Sequence, residues 1–157
     1  MSLRAALLLC FATLLAGCVS TGNVNPLSTG KGRDEARQAY VQLGLGYLQQ
    51  GQTERAKAPL KKALELDSTD ADANAALALV FQAEAEPELA DQYYRKALSA
   101  RSKDARILNN YGSFLYQQKR YKEAYERFEQ AADDNLYAER ARVFENLGMT
   151  ALMLGNR

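Results

Sequence analysis

The chain has 157 residues, 47 % of them hydrophobic and 25 % charged, with a formal net charge of +1 and no histidine. That length suits one ordinary domain, and that balance suits a folded body. A near-neutral chain lacks the basic footprint of a nucleic-acid binder, and a histidine-free chain lacks the usual general base and the commonest neutral metal ligand. Of the two cysteines, Cys10 falls in a segment read below as removed, so Cys18 has no intrachain partner. No Cys/His zinc set and no Ser-His-Asp arrangement can be assembled. The expectation is a non-enzymatic protein with no catalytic, cofactor or metal site, although carboxylate chemistry is not formally excluded.

Residues 1–17 open Met1-Ser2-Leu3-Arg4 and continue as an apolar run from Ala5 to Ala16. A spanning helix needs about twenty apolar residues, so this run is too short, and its basic start and small-residue end read as a secretory signal peptide. It closes in Leu15-Ala16-Gly17-Cys18, which resembles the lipobox of bacterial lipoproteins. The resemblance implies cleavage before Cys18, a diacylglyceryl thioether on its sulfur and acylation of the new amino terminus, and Val19 after the cysteine implies sorting to the outer membrane. Residues 18–34 are then a lipidated terminus and flexible linker, because Gly, Ser, Thr, Asn and Pro dominate and no periodicity survives.

A thirty-four-residue repeat follows. Leu43-Gly44 with Tyr47, Ala56, Leu60 and Ala63 is matched by Leu77-Ala78 with Phe81, Ala90, Tyr94 and Ala97, and by Tyr111-Gly112 with Leu115, Ala124, Phe128 and Ala131. Apolar residues at three- and four-residue spacing place one stripe on each of two helices per unit, and the small residues let the two backbones approach. The pattern resembles the tetratricopeptide repeat, and the resemblance implies an all-α, right-handed superhelix of antiparallel helix pairs over 37–157, with units at 37–70, 71–104 and 105–138. The anchors Tyr40, Leu43, Tyr47, Leu77, Phe81, Leu108, Tyr111 and Leu115 are expected in the core. Asn74 stands where a bulky residue is usual. Pro87 suits a first helical turn, Pro59 either starts or kinks a helix, and Gly51, Lys119 and Gly155 fall in the turns.

A partial repeat starts at about 139 and carries Phe144, Leu147-Gly148 and Ala151, with Gly148 thirty-six residues beyond Gly112. Because a solenoid needs its last unit covered, the sequence reads as part of a longer protein, with an imperfectly packed last helix as the other possibility.

In such repeats the first helices line a concave face that serves as a binding groove. The groove residues expected from helix phase are Gln38, Val41, Leu45, Leu48 and Gln49 in unit one, Leu79 and Gln82 in unit two, and Asn109 and Tyr116 in unit three. Leu45, Leu48 and Leu79 are apolar at this phase and read either as extra core or as a strip, rimmed by glutamines, that grips a partner segment.

The lipobox, the short polar linker and the phrases Ala39-Tyr40-Val41-Gln42-Leu43-Gly44-Leu45-Gly46-Tyr47 and Leu108-Asn109-Asn110-Tyr111-Gly112-Ser113-Phe114-Leu115 are together similar to the lipoprotein pilotins of type IV pilus biogenesis. This resemblance implies an adaptor that is lipid-anchored in the outer membrane, binds the pilus secretin subunit, and promotes its localisation and multimerisation, with no nucleic-acid or small-molecule substrate. Two alternatives share the same features: an adaptor for murein hydrolases or outer-membrane protein assembly, and an enzyme whose active site lies beyond residue 157.

Overall fold

The structure, a computed structural model, describes residues 25–155. The signal-peptide and lipidation readings, Cys18 among them, lie outside the described residues. A 3-10 turn at Pro26–Ser28 leads into seven α-helices: α1 (Gly30–Gln49), α2 (Thr53–Leu66), α3 (Ala71–Ala83), α4 (Pro87–Ala100), α5 (Ala105–Gln117), α6 (Tyr121–Ala132) and α7 (Arg140–Met153). No strand occurs among the described residues, and no described helix is long and apolar enough to cross a membrane.

Local chemistry sets the boundaries. The side chains of Asp70 and Asp104 accept the backbone N–H groups of Ala73 at 2.6 Å and Ile107 at 3.1 Å, satisfying orphan donors at the starts of α3 and α5. Pro87 occupies the first turn of α4, where its missing donor costs nothing. Pro59 lies inside α2 and is buried, so the helix continues past it. The turns inside the pairs close on residues with positive φ, Gly51 (71°), Ala85 (58°) and Lys119 (59°), and Gly155 (77°) follows the end of α7 in the same conformation. The first three are thirty-four residues apart, so the turn repeats with the period even where glycine does not. Ala85 carries no sequence signal of a turn, since alanine favours helix.

The helices pair as α1 with α2, α3 with α4, and α5 with α6, while α7 packs on α6. Bulky residues at one repeat position, Leu60, Tyr94 and Phe128, are essentially inaccessible. Tyr94 stacks on Tyr111 with ring centroids 5.1 Å apart and lies 5.6 Å from Phe114 in a tilted pair, joining units two and three. Val41, Ala63 and Ala73 close the junction between units one and two.

Two expectations are corrected. Helix α1 begins at Gly30, capped by Thr29, rather than at 37, so the last part of the expected linker is helical; its Gly-Lys-Gly-Arg stretch hides the periodicity. Leu43, expected in the core, is 49 % exposed, whereas Leu77 and Tyr111 at the same repeat position are 0 % and 3 % exposed. No unit packs on the outer side of α1 among the described residues. Phe144 in α7 is likewise 50 % exposed. Asn74 is buried, and its amide donates to the backbone carbonyl of Asp70 at 2.8 Å, so a polar capping contact replaces the usual bulky contact.

Candidate protein-binding groove

Helices α1, α3, α5 and α7 are neighbours along one face, tied by side-chain bridges between units. Arg37 of α1 pairs with Asp70 at the start of α3. Arg106 of α5 pairs with Asp72 of α3, which Arg101 also meets. The Gln82 amide of α3 donates to the Gln117 side-chain carbonyl of α5 at 3.0 Å, and the Asn146 amide of α7 donates to that of Asn109 in α5 at 3.1 Å.

The expected groove residues divide into two groups. Gln38 and Gln49 are exposed, and Leu45, Leu48, Leu79, Gln82 and Tyr116 are partly exposed, so all seven present surface. Val41 and Asn109 do not: they are 4 % and 3 % exposed. Val41 shares the stripe of Leu45 and Leu48 but is covered, because Ala63 and Ala73 pack against it at the junction of units one and two. Asn109 is enclosed by Asn146 and by the Ser113 hydroxyl, which donates to its backbone carbonyl at 3.0 Å. Leu45, Leu48 and Leu79 each pack one side on the core, which merges the core and groove readings: part of each leucine anchors the helix and part remains open.

The groove is electrostatically quiet. Asp72 is held by two arginines, and amides supply much of the remaining polarity. Beneath it, the buried Tyr94 hydroxyl donates to the Gln82 carbonyl at 2.9 Å, which aims the Gln82 amide at Gln117. Burial pushes the Tyr94 phenol up from its ordinary value, so it stays neutral and keeps this donor role. Tyr116 is steadied edge-on by Tyr121 at 5.3 Å. Between α5 and α7 the groove deepens into a pocket of about 270 Å³ lined by Ser113, Tyr116, Asn146, Met149 and Thr150 among others. Sequence reasoning passed over Asn146 and Thr150, whose phase shifts with the two extra residues before α7. No group of side chains able to hold a metal occurs among the described residues.

The stacked helix pairs, with their first helices side by side along a half-apolar groove, have the architecture of a helical-repeat protein. Tetratricopeptide-repeat models match residues 44–84, 71–104 and 105–133, and the chain belongs to the tetratricopeptide-repeat family. It is 64 % identical over 154 residues to the type IV pilus assembly protein PilF of Pseudomonas aeruginosa, covering 98 % of this chain and 61 % of that protein. The solved PilF structure superposes with a TM-score of 0.78 at 66 % identity, over 80 % of this chain and 56 % of that one. The crystal structure of PilW, a widely conserved type IV pilus biogenesis factor, superposes with a TM-score of 0.71 at 28 % identity, over 76 % of this chain and 55 % of that one. An uncharacterised Haemophilus influenzae protein is 33 % identical over 141 residues, covering 90 % of this chain and 76 % of its own length.

Proposed function

We propose that this chain acts in type IV pilus biogenesis as a lipid-anchored adaptor of the outer membrane, binding the pilus secretin subunit and promoting its localisation and assembly into a multimer. The observation that carries the reading is the groove: half-open leucines at positions 45, 48 and 79 with Tyr116 and a glutamine rim, on a chain 64 % identical to a type IV pilus assembly protein. Half-open apolar residues supply contact area, and amides bond a partner's backbone without requiring it to be charged. The sequence Leu15-Ala16-Gly17-Cys18-Val19 supports the anchor and the outer-membrane address. Two acyl chains suffice for stable attachment, because each buried methylene contributes about 0.8 kcal/mol.

The reading is tested by affinity capture from detergent-solubilised membranes of piliated cells. The secretin subunit should co-purify with the wild-type protein and be depleted with a variant carrying Leu45→Ala and Leu79→Ala. Recovery of a murein hydrolase or a barrel-assembly component, with no secretin, would replace this reading with the other adaptor class.

A further inference from the structure

The face opposite the groove, formed by the second helices, carries a cleft of about 910 Å³ between α4 and α6. Its origin is visible in the repeat register. At the junction of units one and two, the position facing the preceding unit holds Tyr93, which stacks on Phe81 at 5.3 Å and packs against the core there. Thirty-four residues later the same position holds Arg127, and the position of Leu89 becomes Glu123. An aromatic filler has been exchanged for a cation, and the space stays open.

That cation is unsatisfied. Arg127 Nη1 donates to the Gln130 side chain at 3.0 Å, and the guanidinium lies 5.9 Å from the Tyr111 ring centroid. Neither contact is with an anion, and Nε is buried with no hydrogen-bond partner. A buried donor without an acceptor carries the full desolvation penalty of that group. Of the other charges in the cleft wall, Arg95 is held by Asp91 at 2.6 Å and Glu123 by Arg120 at 2.6 Å. Asp133 and Asp134, beyond the end of α6, also line the cleft, and neither forms an ion pair with Arg127 among the described residues. The Asp134 carboxylate accepts the Leu136 N–H at 2.9 Å. Lys103 lines the cleft without an ion pair among the described residues. Half-buried Leu98 supplies open apolar surface beside the unpaired guanidinium, above the buried Leu108 and Tyr111.

We propose that this cleft binds a segment of a partner polypeptide that places an Asp or Glu carboxylate on Arg127 and an adjoining apolar side chain on Leu98. A carboxylate there gives the guanidinium the acceptor it lacks. The site is separate from the groove, so one chain engages two polypeptide segments on opposite faces.

The test titrates blocked tripeptides into ¹⁵N-labelled protein and follows backbone amide shifts. Ac-Leu-Glu-Leu-NH₂ should move amides around Leu98 and Arg127, and Ac-Leu-Gln-Leu-NH₂ should bind at least about tenfold more weakly, as loss of a charge-assisted hydrogen bond implies. Arg127→Gln should remove the preference for glutamate. Arg127→Tyr, which restores the residue found at Tyr93, should close the cleft and abolish the shifts while the spectrum stays dispersed. Equal binding of the two peptides by the wild-type protein would overturn the proposal whether or not the variants fold. So would shifts confined to α1, α3 and α5, or an unchanged preference in folded Arg127→Gln.

Discussion

Phe128 lies so close to Gly112 that a Cβ on that glycine would meet Cε1 of the ring at 2.7 Å and Cδ1 at 2.8 Å. Leu60 stands over Gly44 in the same way, with Cγ and Cδ2 at 2.5 Å from an added Cβ, whereas nothing lies within 4 Å of one on Gly148. Three glycines at one repeat position thus meet two different environments. Gly112→Ala should cost about 1–3 kcal/mol through overpacking of a fully buried ring. Gly148→Ala should be neutral or stabilise by up to about 1 kcal/mol, the helix propensity difference. Urea unfolding of both variants checks this, and equal losses would contradict it.

The turns offer a stabilising change. Lys119 is exposed and adopts a φ of 59°, a conformation that costs an L-residue about 1–2 kcal/mol and glycine almost nothing. Part of that gain is lost to the greater freedom of glycine in the unfolded chain. Lys119→Gly should therefore raise stability by about 0.5–1 kcal/mol and the melting temperature by a few degrees. A fall in calorimetric Tm would show that the lysine side chain does more than its surroundings indicate.

Asp91 governs part of the acid limit. Burial opposes its charged form, but hydrogen bonds from Arg95, Tyr111 and Arg120 outweigh that and hold its carboxyl below the ordinary range. A group whose pKa is depressed by folding contributes stability that is present above the unfolded value, about 3.9, and is lost as pH falls through the lower folded value. Asp91→Asn should thus be less stable than wild type at pH 7, with the gap narrowing below about pH 4. Denaturant midpoints from pH 7 to pH 2 measure it. A gap that stays constant would mean that the Asp91 charge contributes nothing.

Much of this architecture is written in the thirty-four-residue spacing of Gly44, Ala78 and Gly112 and of Ala56, Ala90 and Ala124, because those positions answer to backbone approach alone. The burial of Val41 is not legible: it shares the phase of the half-open Leu45 and Leu48, and it is covered only because Ala63 and Ala73 of neighbouring helices close over it. Asn109 was misread for another reason, since its enclosure comes from Asn146, which sits beyond a turn two residues longer than the others. Leu43 carries the motif and is still half-exposed, because a repeat position specifies a contact with a neighbour, and among the described residues no unit packs on that side of α1. The α4–α6 cleft follows from exchanging Tyr93 for Arg127 at one register position, a difference that matters only once the repeats are stacked.

Cys18→Ser tests the anchor. The variant should leave the membrane fraction and appear in the soluble periplasmic fraction, while the wild-type protein bands with outer-membrane markers on a density gradient. Mass spectrometry of the mature wild-type protein should find an acylated cysteine at its amino terminus. A mature start at any other residue would contradict the lipidation reading.

The central claim is that the groove holds the secretin subunit, and affinity and unfolding measured on the same samples test it most directly. Leu45 and Leu79 are only partly buried, so replacing either with alanine should cost less stability than the about 2–5 kcal/mol typical of a core leucine. Loss of a central interface anchor should weaken binding by about 2 kcal/mol, roughly thirtyfold. The account predicts that titration of purified secretin subunit into Leu79→Ala shows this weakening while the melting curve stays near that of the wild type. Wild-type affinity in a folded Leu79→Ala sample, together with a large loss of stability, would contradict it.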